Sequence, residues 1–174
     1  GSSVYPNIIP WTEVETVSPT SISISSVRLK AASTTSGREF AYVNAGSLND
    51  YPNQFNTSAS QLIWAVNFRQ TRADPSGFDG NNYGIGFIIG KSTTDITTGT
   101  GYAVVLGQSG SADGIRLAKF NGGINGNGDF TNVISGGDYS NQYLSIKVTY
   151  NPTGDLWSLF VDSSSTGFPH TDPA

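Results

Sequence analysis

The chain contains no cysteine, which excludes disulfides, thiolate metal sites and a cysteine nucleophile. It contains no methionine either, so its first residue is not an initiator, and Gly1-Ser2 is expected to be a processed or added end. Its one histidine, His170, rules out a His-rich zinc site. A Ser–His–Asp triad would have to use that histidine. It lies in a proline-flanked tail, where holding a ring to within about 0.5 Å is implausible. Charge is scarce, at 13% of residues, with nine Lys and Arg against thirteen Asp and Glu and a formal net charge of −4. The basic residues never run three together, and nucleic-acid binding, which needs a concentrated basic patch, is not expected. Long apolar runs are missing too: none approaches the roughly 20 residues of a membrane span. No window sustains the 3.6-residue period of a helix.

What is present is alternation. Ile22-Ser23-Ile24-Ser25, Leu62 to Arg69 and Tyr143 to Tyr150 repeat with a period near two, placing one set of side chains in a core and the other toward solvent. The stretches between are rich in Gly, Asn, Ser, Thr and Asp, the chemistry of turns. In the first nineteen residues, Pro6, Pro10 and Pro19 interrupt regular structure, leaving Trp11–Glu15 as a short edge strand. Strands are expected over Ser21–Ala32, Arg38–Asn44, Gln61–Gln70, Tyr83–Gly90, Gly101–Gly107, Gly114–Phe120, Tyr143–Tyr150 and Leu156–Val161. Residues 45–60, with Tyr51-Pro52-Asn53, form a loop. Asp74–Asn82 and Asn121–Asp129 are two more long loops. Gly84 and Gly86 share one face of their strand and imply a surface on which a neighbour lies close. Many strands with no crossover helices indicate one all-β, antiparallel sandwich over residues 1–174, with an irregular N-terminal segment and tail.

The runs Trp64-Ala65-Val66-Asn67-Phe68-Arg69-Gln70, Asp74-Pro75-Ser76-Gly77-Phe78-Asp79 and Asn82-Tyr83-Gly84-Ile85-Gly86-Phe87 extend this reading. So do Gly101–Gly107, Val148-Thr149-Tyr150 and Trp157–Val161. Together, over roughly residues 11–162, they resemble the concanavalin A-like, laminin-G-like jelly-roll modules of secreted multidomain bacterial proteins, especially of Bacteroidetes. The resemblance implies a jelly-roll β-sandwich and an extracellular or cell-surface location. Lectins, glycan-binding modules, glycosidases and adhesive spacers share that fold, so it does not fix an activity. Such modules continue into another strand pair, whereas Ser163–Ala174 carries two prolines and no alternating run. A missing closing strand is therefore expected, with an open sheet edge able to accept a strand from another copy of the chain.

Residues that could carry chemistry are few. A glycosidase on this fold needs two carboxylates about 5–9.5 Å apart across a sheet. The Glu-x-Asp-x-x-Glu cluster of laminarinase-like members has no counterpart here. The nearest pair, Glu13 and Glu15, fits a solvated edge strand better. No enzymatic activity is expected. Calcium takes oxygen ligands, and Asp74, Asp79 and Asn81 cluster in one loop while Asp129 closes the other; ordinary Asx turns explain the same residues. For a glycan, stacking faces and planar polar groups are needed. Asn67 and Arg69 on the outward face of their strand, Arg116 on another, and Phe78 and Asn82 in the first long loop are the candidates, with Tyr51 and Tyr139 as further loop aromatics. Trp64, Val66 and Phe68, and likewise Trp157, Leu159 and Val161, belong to the core. The expected function is a non-catalytic binding or adhesion module, chiefly for a glycan or cell-surface polysaccharide. The alternatives are a self-associating surface or filament subunit completed by strand exchange, and a glycoside hydrolase-like domain.

Overall fold

The computed structural model describes residues 12–16, 22–25, 28–31, 36–47, 60–79, 83–112, 114–169 and 172–174. The fold is all-β and antiparallel, and the described residues form no α-helix. The strands are β1 (Thr12–Glu15), β2 (Ile22–Ser25), β3 (Arg28–Ala31), β4 (Glu39–Tyr42), β5 (Leu62–Arg69), β6 (Ile85–Lys91), β7 (Thr100–Leu106), β8 (Gly114–Asn121), β9 (Phe130–Asp138), β10 (Tyr143–Asn151) and β11 (Leu156–Ser164). Among the described residues there are also two single 3-10 turns, Ala45–Ser47 and Asn127–Asp129.

The chain divides into two compact units, Gly1–Pro52 and Asn53–Ala174. In the first, β1 pairs with β4, Thr12 opposite Tyr42 and Glu15 opposite Glu39. The pair is clamped at one end by Thr16, whose hydroxyl donates to the Arg38 carbonyl and accepts the Arg38 N–H, each at 2.7 Å. β2 and β3 pair with each other, Ser25 opposite Arg28. The single long strand expected over 21–32 is thus two strands that fold back on one another. Glu13 is exposed on β1, as a solvated edge strand requires.

The second unit holds two sheets. One has the order β11-β10-β5 and the other β6-β7-β8-β9. Their facing sides share one core: Phe68 of β5 and Leu144, Ile146 and Val148 of β10 meet Val104 and Leu106 of β7 and Ile115 and Leu117 of β8. Trp64, Val66, Trp157, Leu159 and Val161 pack at its margin. This is a sandwich-like arrangement, and it follows from the alternation: on β5 the side chains at 62, 64, 66 and 68 are covered while those at 63, 65 and 67 are exposed. Fully burying an aliphatic side chain of this size contributes about 1.5–3 kcal/mol.

The four-stranded sheet is buried on its other face as well. Ala103 and Val105 of β7 and Ala118 and Phe120 of β8 form a second core with Ile124, against which Phe78, Ile88, Ile96 and Phe130 pack. The surface implied by the alternating glycines is occupied by the Phe78 ring, so close that a Cβ at Gly84 would come within 2.8 Å of it. The strand β9 has no counterpart among the sequence expectations. It pairs with β8 through two register shifts, which break its alternation. Among the described residues, β5, β11, β6 and β9 each pair on one side only.

β11 runs on to Ser164, into the stretch expected to be an irregular tail, and the described residues beyond it are packed. Beyond β11, the Phe168 ring meets Tyr143 edge-on at 5.1 Å, Asp172 forms a 2.9 Å ion pair with Lys147, and Pro173 is fully buried. His170 lies outside the described residues.

Candidate functional site

The two long loops are joined. Asn127, at the 3-10 turn before β9, donates its backbone N–H to Asp79 Oδ1 at 2.8 Å. Its Nδ2 reaches Asp79 Oδ2 at 2.9 Å, the Ser76 carbonyl at 3.1 Å and Ser109 Oγ at 3.0 Å. Its Oδ1 accepts the Phe78 N–H at 2.8 Å. Gly77, at φ +108°, makes room: a Cβ there would overlap the Asn127 side chain. Asp129 closes the other loop, its Oδ2 accepting the N–H groups of Asn125 at 2.6 Å and Gly126 at 2.9 Å.

The loop 92–99 holds the 121–129 loop from the other side. Gly122 and Gly123 donate to the Gly99 carbonyl at 2.9 and 2.8 Å, and Ile124 donates to the Ile96 carbonyl at 2.9 Å. Gly123 has φ +91°, and a Cβ there would run into the Thr97 backbone. The 92–99 loop itself wraps an ammonium: Lys91 Nζ donates to the Thr93 carbonyl at 3.0 Å, to Thr93 Oγ1 at 2.7 Å and to the Asp95 carbonyl. Burial lowers the Lys91 pKa, and the negative charge of Asp95 opposes that shift.

These contacts decide what the acidic residues offer a calcium ion. Both oxygens of Asp79 and one of Asp129 face N–H donors, and Asp74 is exposed. Among the described residues no group of three acidic or histidine side chains is placed to hold a metal. Asn81 and Asn82 lie outside the described residues, as does Tyr51.

The remaining expected ligand residues are dispersed. Asn67 is exposed on the outer face of β5. Arg69, two residues on, donates Nη2 to Asn141 Oδ1 at 3.0 Å and lies 4.1 Å from the Tyr143 ring centre. Phe78 is half-buried in the second core, 5.2 Å from Phe130, and Tyr139 packs against the first. Arg116 is buried on β8, its Nη1 donating to Gln108 Oε1 at 2.9 Å. The loops therefore come together, while Asn67 and Arg69 belong to the other sheet.

A feature absent from the sequence reading lies at the end of the four-stranded sheet. Tyr102, Lys119 and Thr131 are register neighbours on β7, β8 and β9, so their side chains stand in a row on one face. With Thr100, Asn121 and Asp129 they line an open cleft of about 440 Å³, floored by Gly101 and Phe120. Gly101 fits because a Cβ there would press on the Phe120 ring. Tyr102 is itself stacked on Trp157 of the facing sheet, with ring centres 4.8 Å apart and an interplanar angle of 25°. Trp157 in turn packs against Trp64 at 6.0 Å and Tyr150 at 4.4 Å. All four rings are half-buried. Burial first, then the hydrogen bond and negative charge of Asp155, raise the Tyr150 pKa. The cleft thus sets an aromatic group beside an ammonium, a carboxylate, an amide and hydroxyls.

Comparison with protein-family models, with curated proteins and with solved structures finds no match to this chain.

Proposed function

We propose that this chain is a non-catalytic, extracellular carbohydrate-binding module of the concanavalin A-like, jelly-roll kind, and that it binds its glycan in the cleft of Tyr102, Lys119, Asn121 and Thr131. The observation that carries the reading is the row Tyr102–Lys119–Thr131 beside the Tyr102–Trp157 stack. Sugar rings have an apolar C–H face and a rim of hydroxyls. A half-exposed ring meets the first, and amide, ammonium, carboxylate and hydroxyl groups meet the second. Lys119 is exposed and hydrogen-bonds to none of the described residues, which leaves its three donors for sugar oxygens. Asn121 sits at the end of β8, where the Thr100–Asn121 pairing fixes its backbone while its side chain remains exposed.

The test is an immobilised glycan array probed with the wild-type protein and with the double variant Lys119→Ala/Asn121→Ala. Both positions are exposed, so the variant is expected to fold. The wild type should mark a restricted set of oligosaccharides, and the variant should lose those signals. Equal signals from both proteins, or none from the wild type, would contradict the reading.

A further inference from the structure

Among the described residues, Arg116 is a buried cation with no anion beside it. Its side chain is 4% exposed. Among the described residues its Nη1 donates to Gln108 Oε1, and a Phe130 ring centre lies 5.7 Å from Cζ. A guanidinium has five N–H donors, and the Gln108 carbonyl oxygen takes one. No carboxylate lies within ion-pair distance of it among the described residues, where Lys147–Asp172 is the ion pair. Burial pushes its pKa down. A desolvated charge is costly unless it is paired. The other N–H groups are not sealed: the fully buried, unpartnered polar atoms among the described side chains are Glu39 Oε1 and Arg69 Nε.

The surroundings supply donors. Because its Oε1 accepts from Arg116, Gln108 has an Nε2 with two N–H groups, beside Gly114, where there is no side chain in the way. Ser135 stands directly opposite Arg116 on β9, and its Oγ accepts from Asn132 Nδ2 at 3.3 Å, so its own proton is free to point elsewhere. We propose that Arg116, Gln108 and Ser135 form an oxyanion-binding site on the outer face of the four-stranded sheet, taking a carboxylate or sulfate group. Planar, forked donors suit such groups, which can accept two parallel hydrogen bonds. The site lies at the opposite end of β8 from the Lys119–Asn121 cleft and does not depend on the reading of that cleft.

The experiment is thermal unfolding of the wild type and of Arg116→Met in sodium glucuronate, sodium sulfate and sodium chloride at matched ionic strength. Sulfate also stabilises proteins by exclusion from their surface, so the quantity that counts is the difference between the two proteins. In chloride the variant should be at least as stable as the wild type, because an apolar side chain replaces an uncompensated buried charge. In a tenfold excess of a binding anion over its Kd, the wild type should gain roughly 3–6 °C that the variant does not. A larger gain in glucuronate identifies a carboxylate ligand, and a larger gain in sulfate a tetrahedral one. Equal responses from the two proteins in both anions would overturn the proposal. If Arg116→Met fails to fold, the Arg116 Nε–H resonance of the wild type decides: saturable movement on adding glucuronate or sulfate supports the site, and a fixed resonance refutes it.

Discussion

Asn127 uses its backbone and both ends of its amide on segments far apart in sequence: Ser76–Asp79 and Ser109. This takes a side-chain amide, which accepts from Phe78 while donating to a carboxylate and a carbonyl. Asn127→Ala should therefore leave the Phe78 N–H without its acceptor and Asp79 Oδ2 without the amide donor, while the backbone N–H of residue 127 still reaches Asp79 Oδ1. The expected cost is about 1–3 kcal/mol, read as a lower midpoint in urea with an unchanged slope. A midpoint within error of the wild type would mean that the loops are held by the second core alone. The sequence reading recognised the Asx and glycine chemistry of both loops, because turn residues act locally. It did not foresee that Asp79 pairs with Asn127, since a hydrogen bond across 48 positions has no local signature. Arg116 was legible as polar and outward-pointing, but its burial comes from neighbours such as Phe130, on a strand that sequence reasoning did not identify.

At the scale of elements, strands with clean alternation were legible and those without it were not. Leu62–Arg69 and Tyr143–Asn151 lie in register with each other and turn their apolar side chains to the same core. β5 leaves its other face exposed, while β10, between two strands, covers Ser145 and Thr149 on its other face too, so its period of two is one of apolar and polar residue types. In contrast, Phe130–Asp138 is an edge strand with two register shifts, ends in Ser135-Gly136-Gly137-Asp138, and is mostly exposed. Its pairing comes from β8 rather than from its own pattern. The alternating run from Ser21 to Ala32 concealed a reversal, because two short strands folding back keep the same period as one long strand. The 92–99 loop has a pH dependence of its own. Asp95 Oδ1 accepts from Thr97 Oγ1 at 2.7 Å and from the Thr97 N–H at 2.9 Å, and these bonds hold its pKa below the ordinary value of 3.8. A depressed carboxylate pKa adds stability above its unfolded value and loses it as pH falls through the folded value. Acidification below about pH 4 should therefore loosen the loop. Amide exchange of Thr97 and Ile124 should lose protection there in the wild type but show no such acid-dependent loss in Asp95→Asn. Identical pH profiles in the two proteins would show that another group controls the loop.

Over the whole chain, the two units differ in the length of their described strands. The described strands of Gly1–Pro52 are four residues long, whereas Asn53–Ala174 carries two cores, one between its sheets and one beneath the loops of the four-stranded sheet. An antiparallel sandwich-like architecture was readable from alternation and from the lack of helix periodicity. The cleft was not, because Tyr102, Lys119 and Thr131 become neighbours only through the register of three strands. Read singly, each is an ordinary strand residue. The tail shows the same limit: two prolines marked it as irregular, but nothing local announced that Phe168 would pack on Tyr143 or that Asp172 would find Lys147.

Glycan binding by this chain rests on the cleft of Tyr102, Lys119, Asn121 and Thr131. The most direct measurement is a calorimetric titration of the strongest oligosaccharide from the array into the wild type and into Lys119→Ala/Asn121→Ala. Two hydrogen-bonding groups are removed, one of them charged, and each such loss costs about 1 kcal/mol or more. The wild type should bind saturably at one site per chain, and the variant at least tenfold more weakly, which is about 1.4 kcal/mol. The same Kd in both proteins would contradict it.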